Sequence, residues 1–285
     1  MLGALVTAAA LIGLTPQQKA GLLVVSGLPA APFAGGVIVR QWDRDEPRRR
    51  GVLVYADQEG GTVKTFPAIA PWHPASELRT RAAAFAAGAD TGRGLRSVGV
   101  SVDLAPVLDL PDGPLGSRQF PSPLLGVTFA RGLAAGGAAA CAKHFPGLGP
   151  LPISTDERLY VHGRLRDADL APYRAAIEAG VPCVMVGHGI YSNVGRRRAA
   201  LEPAAYRLLR SLGFRGVAIT DSLGVLGSEM APLWAVQAVR AGADLVLFPK
   251  AADAVRAIHA LVPLARRGEL DAHVARVLRF RARYR

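Results

Sequence analysis

Eight short apolar, β-branched runs recur along the chain, each bounded by Gly, Pro or Asp and separated by Ala-rich stretches with helical spacing. No other feature constrains the fold as strongly. Parallel strands buried on both faces read as continuous apolar runs, and they need helical crossovers between them. The runs are Leu22–Ser26, Gly36–Arg40, Gly51–Asp57, Val98–Ala105, Ala139–Phe145, Pro182–His188, Gly216–Asp221 and Ala243–Phe248. Helices are expected over Pro74–Ala89, Pro123–Ala138, Asp167–Ala179, Pro203–Leu212, Pro232–Ala241, Ala252–Leu264 and Leu270–Arg281. This alternation predicts an α/β fold of the (β/α)8 type, a TIM barrel, irregular in its first units because the first two connections are too short for helices. A doubly wound sheet is the competing arrangement. Polar residues gather where the runs end, at Asp57-Gln58-Glu59, Asp109, Lys143-His144, His188 and Asp221-Ser222. In a barrel the C-terminal ends of all strands converge on one face, which favours that fold. One domain is expected over residues 1–285, with residues 1–13 as an extension.

Half of the residues are hydrophobic and 20% are charged, which excludes disorder over most of the chain. The net charge of +12, from 34 basic and 22 acidic residues, raises the question of a polyanionic partner. Lysine occurs only at positions 19, 64, 143 and 250, so the surplus is almost entirely arginine. The runs Arg48–Arg50 and Arg196–Arg198 have no interleaved aromatics to stack bases, and with the basic tail, Arg276 to Arg285, they read as solvated surface. No nucleic acid is expected as a partner, and a monomer is. A polyanion-binding protein is kept as a rival reading, to be separated by the salt dependence of its affinity.

Cys141 and Cys183 lie in apolar runs, lack metal-ligand spacing and read as core thiols rather than a disulfide framework. The apolar stretch Met1–Ile12 has no basic residue before it and is shorter than the roughly 20 residues a membrane span requires. It reads as a first helix or a truncated start. No membrane span is therefore expected, and a cytoplasmic location is, or export if the stretch is part of a signal peptide.

The segment Ala142-Lys143-His144-Phe145-Pro146-Gly147-Leu148-Gly149 follows an apolar run and sets two donors before a Pro/Gly turn. It resembles the K-H-F-P-G-H-G signature of glycoside hydrolase family 3, in particular the one-domain β-N-acetylhexosaminidase branch. Further stretches resemble the same family in the same order. Ala56-Asp57-Gln58-Glu59-Gly60-Gly61-Thr62-Val63 is similar to D-Q-E-G-G-R-V, Asp103-Leu104-Ala105-Pro106-Val107-Leu108-Asp109 to F-A-P-V-L-D, and Leu115-Gly116-Ser117-Arg118-Gln119-Phe120 to I-G-x-R-S-F. Val184-Met185-Val186-Gly187-His188 is similar to V-M-V-S-H, and the segment from Gly213 to Gly224 to G-F-x-G-V-v-x-S/T-D-x-L-x-M. The resemblance runs from about Leu14 to Leu264.

By that resemblance the chain is a retaining β-glycosidase, and the family nucleophile falls on Asp221. A carboxylate at a strand end can attack an anomeric carbon and form a covalent glycosyl-enzyme. A helix N-cap is the other reading of an Asp before an apolar stretch. Asp57, Arg118, Lys143 and His144 carry over as sugar-binding residues, with a buried structural acid and a surface salt bridge as the alternatives for Asp57 and Arg118. His188 is read as pocket lining. The implied substrate is a small carbohydrate or muropeptide, most directly a terminal β-N-acetylglucosaminide from cell-wall turnover. No cofactor and no metal are implied: the acids lack ligand clustering, and no G-x-G-x-x-G or P-loop spacing follows a strand.

The pattern departs from the family in one loop. The branch supplies its acid/base from a D-S-H triplet, whereas this chain reads Pro150-Leu151-Pro152-Ile153-Ser154-Thr155-Asp156-Glu157-Arg158. Without gaps, Ser154 takes the place of the Asp and Asp156 that of the His. Asp156, or alternatively Glu157, is then the candidate acid/base, a role suited to a carboxyl in an apolar cleft. Thr65, beside Lys64, stands where the branch has a second arginine, and Leu148 replaces the signature's second histidine. The alternatives are a catalytically degenerate carbohydrate-binding protein of the same fold, or β-glucosidase-type specificity.

Overall fold

A computed structural model describes Leu11 and residues 13–285. The expected first helix over Met1–Ile12 therefore lies outside the described residues, apart from Leu11. Eight parallel strands form one sheet: β1 (Val24–Ser26), β2 (Gly36–Val39), β3 (Leu53–Ala56), β4 (Val102–Asp103), β5 (Ala139–Phe145), β6 (Cys183–Val186), β7 (Val217–Thr220) and β8 (Val246–Phe248). Each corresponds to one of the eight apolar runs. Their order, β7-β6-β5-β4-β3-β2-β1-β8, brings the first and last strands of the sheet side by side. A parallel bridge between Ile219 and Leu245 joins the two edge strands of that order, β7 and β8, and closes the ring. Side chains fasten the same join: Asp244 Oδ2 accepts from the Ala218 N–H at 3.0 Å, and Thr220 Oγ1 accepts from the Leu247 N–H at 3.2 Å. Every residue of the eight strands is buried, as expected for strands covered on both faces.

The helices are α1 (Pro16–Leu22), α2 (Arg81–Ser97), α3 (Pro123–Ala135), α4 (Asp167–Glu178), α5 (Pro203–Ser211), α6 (Ala231–Ala241), α7 (Ala251–Arg266) and α8 (Asp271–Tyr284). Proline opens α1, α3 and α5 at N1 or N2, where its missing N–H costs no intrahelical bond. Residues 27–35 and 40–52 connect the first three strands without an α-helix, so the early units are irregular.

Two local expectations are corrected. The helix expected over Pro74–Ala89 is only a 3-10 turn at Ala75–Glu77, and α2 starts afresh after Thr80, whose hydroxyl caps the Ala83 N–H at 3.1 Å. The helix starts at that cap, not at Pro74, and its alanine-rich sequence runs on to Ser97. The first run loses Leu22 to α1, which a Thr15–Gln18 capping box starts.

Helices α2 and α3 approach closely through glycines: a Cβ on Gly88 would sit 2.2 Å from the Phe129 carbonyl oxygen, and one on Gly132 2.3 Å from that of Phe85. Inside the ring, Val25, Leu53, Val102, Met185 and Leu247 belong to one apolar cluster that also takes in Val277, Phe280 and Tyr284 of α8. Arg281 of α8 donates to the carbonyls of Gly35 and Gly51, just ahead of β2 and β3. Helix α8 thus stoppers the barrel at the N-terminal ends of its strands.

The cysteines are core residues, but they are not thiols. Cys141 and Cys183 are register partners on β5 and β6, with Cα atoms 4.3 Å apart, and form a disulfide inside the ring. Their linear separation of 42 gave no sign of this, because only the strand pairing sets them opposite each other. Closing a loop of that length removes about 4 kcal/mol of chain entropy from the unfolded state in the loop-closure account. No helix among the described residues is long and apolar enough to cross a membrane.

Candidate active site

The residues that follow the barrel strands line a cavity of about 300 Å³ at the C-terminal face. Asp57 and Glu59 come from the turn after β3, Lys143 and His144 from the end of β5, and Asp221 from the residue after β7. Arg118 and Asp156 reach in from loops, and Arg40 and Pro249 follow β2 and β8. The pairing of β5 with β6 slips between Ala142 and Phe145, the kind of irregularity that re-aims side chains. Both Lys143 and His144 face the cavity as a result.

Charge in the cavity is held in a connected network. The Lys143 ammonium donates to Asp57 Oδ1 at 2.7 Å and lies 2.6 Å from Glu59 Oε1. The Arg118 guanidinium forks onto both Glu59 oxygens at 2.8 and 2.9 Å and reaches Asp156 Oδ2 at 3.0 Å. Glu59 is buried, and burial alone would raise its pKa. The charges of Lys143 and Arg118 outweigh burial and hold it down at about 2. Burial likewise opposes the charges on Lys143 and Arg118, yet their carboxylate partners hold both pKa values above the ordinary ones.

A depressed carboxylate pKa stabilises the fold above its unfolded value of about 4.5, and that stabilisation is lost as pH falls toward 2. Asp103, buried beneath the site and pushed well above the usual range mainly by burial, gives the opposite slope. Burial is the main cause of the Asp103 shift and the Glu59 charge a minor one, so comparing the wild type with Glu59→Gln removes most of the Asp103 contribution. Urea unfolding from pH 5 to pH 3 is expected to show a steeper loss of stability in the wild type than in the variant. Parallel profiles would remove Glu59 from that account.

Asp221 has its backbone N–H bonded to the Val186 carbonyl at 2.9 Å, while its Oδ1 accepts from the Ser222 N–H at 2.7 Å. Burial raises its pKa, but His188, His144, the Ser222 N–H and Lys143 together bring it below the ordinary value. The group is poised as an anion, the state a nucleophile needs. His144 Nδ1 sits 2.8 Å from Asp109 Oδ2, and Asp109 also accepts from the Leu148 N–H at 2.7 Å. With Nδ1–H donated to a carboxylate, the ring is locked in orientation and its Nε2 is left available.

Sequence reasoning did not nominate Glu59 or Asp109, although both stand in quoted motifs. Their strand-end positions were the available signal. Two nominated residues lie elsewhere. His188 does not line the cavity: it is buried behind the Asp221–Ser222 turn, its Nε2 3.0 Å from the Ser222 carbonyl oxygen and its Nδ1 without a partner. A strand-end position fixes which pole a residue occupies, but not on which side of the next strand's turn it packs. Glu157 is exposed on the loop and outside the cavity lining, its N–H turned back onto the Ser154 carbonyl. Asp156 is at the rim, its side chain 65% exposed.

The profile of the "Glycosyl hydrolase family 3 N terminal domain" matches residues 37–280. A "Beta-hexosaminidase" of Xanthomonas oryzae pv. oryzae (strain MAFF 311018) is 35% identical over 207 residues, 63% of this chain and 60% of that protein. The match therefore spans about 60% of that relative's length. Another, from Thiobacillus denitrificans (strain ATCC 25259 / T1), is 32% identical over 275 residues, 79% of this chain and 75% of that protein. Among solved structures, a glycoside hydrolase family 3 β-N-acetylglucosaminidase from Paenibacillus sp. str. FPU-7 superposes with a TM-score of 0.84 at 27% identity, covering 95% of this chain and 63% of that one. The fold is shared as well with a β-N-acetylhexosaminidase from Beutenbergia cavernae DSM 12333, at a TM-score of 0.83 and 24% identity over 94% of this chain and 99% of that one.

Proposed function

The chain belongs to glycosyl hydrolase family 3, and on that premise we propose that it is a retaining β-glycosidase that removes terminal β-N-acetylglucosaminyl groups. The observation that carries this reading is the convergence of Asp221, Asp57, Arg118, Lys143 and His144 on one cavity sized for a sugar ring. Asp57 Oδ1 and the Lys143 ammonium present an acceptor and a donor side by side, a pairing suited to vicinal hydroxyls. His144, held by Asp109, adds a directed ring nitrogen. The Asp221 carboxylate attacks the anomeric carbon as the bond to the leaving oxygen breaks, and a glycosyl-enzyme forms on its oxygen. Water then displaces the sugar from Asp221 with overall retention.

Asp156 is the candidate for delivering the proton to the leaving oxygen and later taking one from water. To do so its carboxyl has to part from Arg118, which its exposed position on the rim allows. The relatives' names point to β-linked N-acetylhexosamines, and cell-wall turnover products are the natural source of such groups.

The test is release of 4-nitrophenol from a panel of aryl β-glycosides. N-acetylglucosaminide is expected to be the preferred sugar, and a silent panel would leave a carbohydrate-binding protein in its place. Asp156→Ala is expected to slow turnover by about 10²–10⁴-fold, the scale of a lost general acid/base. Azide is expected to restore much of it, because a small anion attacks the glycosyl-enzyme without needing a base. Unchanged activity in Asp156→Ala would exclude that residue as the acid/base.

A further inference from the structure

The opposite pole of the barrel carries a feature that the glycosidase site does not use. Two adjoining cavities of about 430 and 530 Å³ share Phe214, Arg215, Arg276 and Arg279 in their walls. Pro182 and Gly216, which line the first, immediately precede β6 and β7 and place this cleft at the N-terminal ends of the strands, beside the α8 stopper. Arg207, Arg210 and His273 complete one half, and Arg283 the other. Neither half is lined by an Asp or a Glu.

The cationic wall is built rather than loosely assembled. Asp244, fully buried beneath it, accepts from Arg210 Nη2 at 2.6 Å and Arg276 Nε at 2.7 Å, with His273 Nδ1 at 2.9 Å. One carboxylate thus orients three cationic or potentially cationic groups at the floor of the cleft. Above them, Arg207, Arg215, Arg279 and Arg283 are exposed and, among the described residues, form no salt bridge. The crowding has an electrostatic cost. Burial, together with the charges of Arg276 and Arg215, lowers the Arg210 pKa against the pull of Asp244. An anion entering the cleft relieves that repulsion.

We propose that this arginine-lined cleft binds a multivalent phosphate anion of about the size of a di- or triphosphate. Guanidinium forks match phosphate oxygens bidentately, and several of them converging suit a ligand with two or three charged groups. The aromatic residues of the cleft, Tyr206, Phe214, Phe280 and Tyr284, are buried and offer no open face for stacking bases. The cleft therefore recognises the phosphate chain itself, whether free or as the tail of a nucleotide. The basic tail, expected to be solvated surface, contributes Arg276, Arg279 and Arg283 to this wall.

Isothermal titration of the full chain with inorganic tripolyphosphate, ATP and sulfate at matched ionic strength tests the proposal. The expected result is one tripolyphosphate per chain, weakened at least about tenfold in Arg215→Ala/Arg279→Ala, with sulfate binding far more weakly. ATP binding with the same affinity as tripolyphosphate identifies the phosphate chain as the whole determinant, whereas tighter ATP binding identifies a nucleotide. Both support the site if the double variant loses them. Equal binding by wild type and double variant, no binding at low salt, or sulfate matching tripolyphosphate would each overturn it. So would a 20-base-pair DNA duplex that binds more tightly than tripolyphosphate and is lost in the same variant. Arg215 and Arg279 are exposed and far from the glycosidase cavity, so glycoside turnover in the double variant is expected to equal that of the wild type and reports an intact fold.

Discussion

Asp221→Ala is expected to reduce aryl glycoside turnover by at least about 10³-fold while leaving a folded protein, because the covalent step loses its only attacking atom. The fold should tolerate the change. The backbone bond from residue 221 to the Val186 carbonyl survives in alanine, and the lost contact from Oδ1 to the Ser222 N–H is local. Such a hydrogen bond is worth only about 1 kcal/mol. Sugar binding is expected to persist, since Asp57, Lys143 and His144, the proposed sugar-binding residues, line the cavity from other strands. The measurement is turnover beside calorimetric binding of N-acetylglucosamine. Retained turnover would show that another group is the nucleophile, and lost binding would show that Asp221 acts chiefly as a sugar ligand.

Lys143→Met is expected to be the most destabilising single change in the site. The residue is 2% exposed, and its ammonium stands between Asp57 and Glu59, at 2.7 and 2.6 Å. Methionine fills a similar volume but leaves two carboxylates near each other with Arg118 as the remaining counter-charge. Removing one partner from a buried ion pair costs about 3–5 kcal/mol, here about 5–8 °C in Tm. Adding Glu59→Gln relieves the orphaned charge, so the double variant is expected to be more stable than Lys143→Met alone. Thermal unfolding of the two variants decides the matter. A Lys143→Met protein as stable as the wild type would mean that the ammonium contributes nothing net to the fold.

These networks also show where the sequence was legible. The strand pattern survives in full because burial on both faces writes itself into consecutive residues, as in Leu53–Ala56 or Val217–Thr220. Strand-end placement then brought Asp57, Lys143, His144 and Asp221 to one face, and the motif added Arg118. Glu59 and Asp109 were harder to see. Each takes its role from a partner distant in the chain, 59 residues away for Arg118 and 35 for His144. The Cys141–Cys183 bridge was hidden for the same reason, since it depends on strand register. His188 shows the opposite error. Its position after a strand predicted the correct pole, but packing turned it behind Asp221 rather than into the cavity.

A ring closed from an open sheet has a join, and here the join runs through the reaction chamber. Asp221 extends from β7 on one side of it, while Leu247 and Pro249 form the cavity wall on the other. The Ile219–Leu245 bridge, the backbone bond from the Asp244 N–H to the Ala218 carbonyl and the Asp244 and Thr220 side chains fasten the two together. Slackening there is expected to open Asp221 to bulk solvent. On the proposed mechanism, the tightness of that seam is expected to set how a glycosyl group held on Asp221 divides between water and competing sugar acceptors.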